Sequence, residues 1–153
     1  MPIPSSSLLR IYSQIFKPAK KTLKMPLIPN YPLPITANDL PIAHGEKFFL
    51  VFISSADPST GQAWCPDVRA AWPKIVEAFS GQDDESPRVG VVEVGQKPEW
   101  KDPQNPYRTR WGVNCIPALI RYERANSEVL ETGRLVEGEI LDQERLSEFI
   151  GSR

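Results

Sequence analysis

A chain of 153 residues with a formal net charge of −1 can bury one self-supporting core, and its length fits a single domain plus an appendage. Arg10, Lys17, Lys20, Lys21 and Lys24 precede the first acid, Asp39, leaving 13 bases against 19 acids beyond them; that body, at about −6, has no basic stripe and excludes nucleic-acid binding. Two cysteines, one histidine and no apolar run near the ~18 residues of a membrane span exclude a disulfide scaffold, a structural zinc site and a membrane role, and set a reducing, cytoplasmic protein as the expectation.

Residues 1–24 are basic, acid-free and serine-containing, with Leu8, Leu9, Tyr12, Ile15 and Phe16 at helical spacing. This composition fits a mitochondrial transit segment, a flexible tail, or an extension upstream of a start at Met25. Residues 1–25 are therefore set apart, with a mitochondrial destination as the alternative to the cytoplasm, and 26–153 are read as the domain. Residues 26–41 hold five prolines and predict an extended lead-in; His44 belongs to it.

Lys47 to Ser54 is a continuous apolar run rich in aromatic and β-branched residues, the pattern of a strand buried on both faces. Asp57-Pro58-Ser59-Thr60-Gly61 is a turn cluster. Val68, Ala71, Trp72, Ile75, Val76 and Phe79 then recur at helical spacing. Pro66 suits the first turn of that helix, Pro73 should kink it, and Gly81 closes it. Arg88 to Val94 predicts a second buried strand, and Pro98 to Gly112 a loop with one short helix. Pro117 to Tyr122 and Glu128 to Leu135 predict two more strands. Asp142 can cap a final helix that turns Leu146, Phe149 and Ile150 inward. Two strands joined through a helix should be parallel, and the last two, close in sequence, an antiparallel hairpin. The fold class is α/β: a central mixed sheet with helices on both faces.

The chemistry concentrates at Trp64-Cys65-Pro66-Asp67-Val68. A thiol between a buried strand and a helix start meets unpaired backbone N–H groups and the positive end of the helix dipole, which favour its thiolate; the neighbouring Asp67 carboxylate works against it. Trp64 would shield one side of the sulfur. Ile116-Pro117 opens a buried strand, where a cis bond is one way to turn the chain, although local sequence alone favours trans. Cys115, two residues earlier, fits inert packing, a surface thiol linking two molecules, or a substitute partner for Cys65. Trp100, Lys101, Asp102 and Arg108 read as a solvated loop anchored by two aromatics rather than a binding surface.

These residues resemble a known family. Ser55-Ala56-Asp57, Thr60-Gly61 and Trp64 to Asp67, then Val94 to Asn105 and Val113 to Pro117, resemble the thioredoxin-related family typified by thioredoxin domain-containing protein 17, with weaker agreement to the C-terminus. The resemblance implies a thioredoxin-like fold with a cis-proline loop and a cytosolic protein-disulfide reductase, kept reduced by thioredoxin reductase and NADPH. It makes Cys65 the attacking nucleophile and Trp64, Pro66, Asp67, Ile116 and Pro117 substrate-binding residues. The family's second, resolving cysteine falls at Val68, so that role has no residue here. Phe52 falls near the place where thioredoxins carry a buried aspartate.

The expectation is therefore an oxidoreductase acting on protein or small-molecule disulfides through Cys65 alone, with no bound cofactor. Electrons would come from glutathione or from thioredoxin reductase and NADPH. It is expected to be a monomer, with a disulfide-linked dimer through Cys115 as the alternative. The competing reading is a redox-degenerate binding module without turnover. Glutathione-assisted cluster binding would want a glycine-rich turn after the cysteine, which Pro66-Asp67 does not supply.

Overall fold

In the computed structural model, the described residues are 27–80 and 88–151. The expectations for residues 1–24 and for Gly81 lie outside them. The elements run β1 (Leu27–Ile28), β2 (Lys47–Ile53), α1 (Pro66–Phe79), β3 (Arg88–Glu93), α2 (Lys97–Lys101), α3 (Pro106–Thr109), β4 (Ala118–Ala125), β5 (Glu128–Val136) and α4 (Gln143–Gly151). Short 3-10 turns cover Ala37–Asp39 and Glu137–Leu141. One mixed sheet takes the order β1-β3-β2-β4-β5. Strand β2 pairs parallel with β3 and antiparallel with β4, and β4–β5 is the expected hairpin.

Strand β2 sits at the centre because six of its seven residues are buried, which only a strand covered on both faces can sustain. Its side chains alternate between two layers. Phe49 meets Phe79 of α1 and Phe149 of α4 edge-on, at 5.3 and 5.6 Å between ring centroids, so both helices cover one face. Phe52 meets Tyr107 and Trp111 on the other face. Phe52, fully buried in this aromatic layer, brings no titratable group beneath the site.

Three expectations need correction. The proline-rich lead-in is not merely extended: Leu27–Ile28 pairs parallel with β3, and Tyr31 N–H donates to the Val91 carbonyl at 3.0 Å. Prolines at 26, 29, 32 and 34 leave Leu27 and Ile28 free to bond at the sheet edge, where proline is tolerated. The connection between β3 and β4 carries two short helices rather than one. Pro98 and Pro106 each stand in a first helical turn, and Asn105 caps the second, its side-chain oxygen accepting from Arg108 N–H at 2.9 Å. Strand ends also shift: β2 and β3 each stop one residue short, at Ile53 and Glu93, and β4 starts at Ala118 and runs on past Tyr122 to Ala125.

Helix α1 runs through Pro73, which is exposed. In α4 the cap is as expected: the Asp142 carboxylate accepts from the N–H groups of Glu144 and Arg145, both at 3.1 Å. Trp100 is buried and Arg108 lies over its ring at 4.1 Å from the centroid, so this loop is anchored from within. No helix among the described residues is long and apolar enough to cross a membrane.

Candidate active site

The site forms where β2 hands the chain to α1. Cys65 is the N-cap of α1, with Pro66 and Asp67 in the exposed first turn. The helix start leaves the N–H groups of Asp67 and Val68 without intrahelical acceptors, and Pro66 has none to offer. Cys65 is 7% exposed. Its S–H is directed at the Ile116 carbonyl oxygen, 4.0 Å away. The Ile116-Pro117 bond is cis, and both residues are buried.

The two site segments meet because β2 and β4 are sheet neighbours: Phe52 pairs with Ala118, which puts the end of β2 beside the start of β4. Four hydrogen bonds then hold the motif and the turns beside it in place. Ser54, 1% exposed, accepts the Cys65 N–H through its hydroxyl at 3.2 Å. Trp64 donates its indole N–H to the Gly95 carbonyl at 2.9 Å, which fixes the ring beside the motif. The same carbonyl accepts Ser55 N–H at 3.2 Å, while Gly95 N–H donates to the Ser55 hydroxyl at 3.0 Å. Gly95 has φ +86°, and an added Cβ there would collide with the Glu99 carboxylate. Glycine is what this close turn accepts.

Val68, one helical turn after Cys65, is 1% exposed and packed in the core. It also forms part of the wall of a groove of about 620 Å³ behind the helix mouth, together with Ser54, Trp72, Pro29 and Val91. The groove lining includes neither Cys65 nor the Ile116-Pro117 loop.

Cys65 and Cys115 are both free thiols. Burial pushes the half-buried Cys115 thiol up, and the nearby Glu137 carboxylate pushes it further, against the opposing pull of Arg134. The Pro117 carbonyl is bonded within the fold: Glu137 N–H donates to it at 2.8 Å. Among the described residues no three His, Cys, Asp or Glu side chains gather as a metal-holding group.

The structure therefore brings Trp64, Cys65, Pro66, Asp67 and Ile116-Pro117 to one place. It adds Ser54, Ser55, Gly95 and Glu137, none of them singled out as a site residue from the sequence, although Ser55 and Gly95 lie in the segments that carry the family resemblance. A serine pair ending an apolar run, and a glycine just after a strand, were the available signals for the first three; Glu137 left none.

Comparison with known proteins follows the same lines. Residues 18–149 match the family described as thioredoxin domain-containing protein 17-like, thioredoxin domain. A thioredoxin domain-containing protein of Schizosaccharomyces pombe is 39% identical over 111 residues, 71% of this chain and 86% of that protein. Thioredoxin-like protein Clot of Oryza sativa subsp. japonica is 37% identical over 86 residues, 53% of this chain and 62% of that one. Thioredoxin domain-containing protein 17 of Homo sapiens is 34% identical over 79 residues, 52% of this chain and 63% of its own. The chain thus spans a little under two thirds of these last two relatives. Among solved structures, a thioredoxin from Trichomonas vaginalis superposes with a TM-score of 0.52 at 15% identity, over 84% of this chain and 98% of that one, a likeness of fold.

Proposed function

This chain belongs to the thioredoxin domain-containing protein 17-like thioredoxin family, and from that premise we propose a thiol–disulfide oxidoreductase that works through one nucleophile, Cys65. The observation that carries this is the thiol at the mouth of α1, aimed at the Ile116 carbonyl, with a valine where the resolving sulfur would sit.

The Cys65 thiolate attacks one sulfur of a substrate disulfide. A Cys65–substrate S–S bond forms as the original bond breaks, and the departing sulfur takes up a proton. Val68 cannot open that mixed disulfide. A glutathione thiolate instead attacks the Cys65 sulfur and releases the second substrate thiol. A second glutathione then attacks the new mixed disulfide, freeing Cys65 and leaving oxidised glutathione. Two glutathione thiols are oxidised for each substrate disulfide reduced, so the electrons balance. The substrates are protein or small-molecule disulfides, and thioredoxin reductase with NADPH is the alternative electron source. The setting is the cytoplasm.

The test is reduction of insulin or cystine with glutathione present, comparing wild type with Cys65→Ser. A rate that depends on Cys65 supports the proposal, and equal rates in the two proteins rule it out.

One observation favours a second reading, a partner-binding module without turnover. Cys65 is only 7% exposed, and a core valine has replaced the second sulfur. A Cys65 that iodoacetamide labels no faster than cysteine in an unstructured peptide would select this reading.

A further inference from the structure

Building on the reading of Cys65 as nucleophile, we propose that Glu137 is a positioning residue of the site: its left-handed backbone holds the Pro117 carbonyl and so sets the Ile116 carbonyl against the Cys65 sulfur. The hydrogen bond is direct, Glu137 N–H to Pro117 O at 2.8 Å. The backbone that aims it is unusual. Glu137 has φ +50°, and among the described residues the other non-glycine positions with positive φ are Asn30 and Asn126. Asparagine tolerates that region through its short polar side chain, whereas glutamate does not, so the conformation persists only where its surroundings over-determine it.

Those surroundings join the two halves of the site. Glu137 opens the 3-10 turn Glu137–Leu141, which packs on α1, the helix that presents Cys65. Ile140 of that turn is fully buried. Glu139 ties the turn to its two flanking elements, accepting from Val136 N–H at the end of β5 at 3.2 Å and pairing with Arg145 of α4 at 3.1 Å. One short turn therefore clamps the thiol-bearing helix to the loop that faces the thiol. Pro117 has no N–H to donate, so two-way pairing with an extended disulfide peptide falls to the backbone of Ile116.

The substrate that feels this most is an extended peptide rather than a small disulfide. The experiment measures kcat and KM of the full chain, with glutathione as reductant, for insulin and for hydroxyethyl disulfide, which has no peptide backbone to pair. Glu137→Val, β-branched and poorly suited to positive φ, is expected to raise the insulin KM about tenfold, and the hydroxyethyl disulfide KM about fivefold less than that. Glu137→Gly, at ease in the left-handed region, should recover most of the insulin KM although it also lacks the carboxylate. If Glu137→Val fails to fold, the polar β-branched Glu137→Thr carries the same comparison. Equal KM changes for the two substrates would overturn the proposal, as would a Glu137→Gln loss as large as that of Glu137→Val, which would assign the effect to charge. Equal insulin reduction by wild type and Cys65→Ser would instead remove the nucleophile itself, whatever the Glu137 variants did.

Discussion

Val68→Cys puts a thiol one turn beyond Cys65 and should convert a glutathione-dependent protein into a self-resolving one. Residues three apart at a helix start hold their Cβ atoms ~5–6 Å apart, close enough for a disulfide once the first turn adjusts. Val68 is 1% exposed, so the change removes about one buried methyl from a packed core. Comparable deletions cost ~0.5–1.5 kcal/mol, which a domain stable by ~5–15 kcal/mol survives. The kinetic gain is much larger. Well-oriented intramolecular groups reach effective molarities of ~10⁵ M; even ~1 M would outrun ~1 mM glutathione about a thousandfold at the release step. Insulin reduction by the variant should then lose its dependence on glutathione when thioredoxin reductase and NADPH are supplied. Mass spectrometry of the oxidised variant should find a bridge between Cys65 and the introduced thiol, with the loss of two hydrogens. A variant that closes no bridge, or that keeps the wild-type dependence on glutathione, would refute the placement of the missing sulfur and the single-nucleophile scheme with it.

Other outcomes follow from single groups. Ser54→Ala leaves the Cys65 N–H buried without its acceptor, which costs ~1–3 kcal/mol and should lower Tm by several degrees in a circular dichroism melt; an unchanged Tm would mean that the bond is idle. Because burial and Glu137 both push the Cys115 thiol up, iodoacetamide should label it more slowly at neutral pH than a free cysteine, and Glu137→Gln should speed the labelling in a Cys65→Ser background. The Tyr122 phenol is pushed far up by burial, with Glu131 adding to the shift. The folded chain thus keeps a proton that the unfolded chain releases near pH ~10. That contribution to stability is complete below ~10 and is lost as pH rises beyond it, so Tyr122→Phe should flatten the alkaline fall in urea midpoint. An equally steep fall in the variant would show that other groups cause it.

How much was legible depended on how local each signal was. The run Phe48 to Ile53 announced a doubly covered strand because burial on both faces demands an unbroken apolar stretch. Helix α1 was legible from its apolar spacing and from Pro66 at its start. Leu27–Ile28 was not, because two residues between prolines carry no period, and their strand character comes from β3 alone. The paired helices between β3 and β4 were hidden for the same reason: each is a single turn or so, set by its first-turn proline and by what Trp100 and Tyr107 pack against.

The order of residues alone determined that a cysteine would stand at a helix mouth behind a buried strand, with valine one turn further on. Those features depend on neighbours within a few positions, where propensity and spacing act directly. Only the folded chain decided that Ser54, Gly95 and Glu137 would hold the thiol, its tryptophan and the facing loop. The Ile116 carbonyl lies 51 residues from Cys65 and the Gly95 carbonyl 31 from Trp64, and such partners are chosen by which strands lie side by side in the sheet. The left-handed turn at Glu137 belongs to this second kind, since isolated glutamate disfavours it and only the packed structure holds it there.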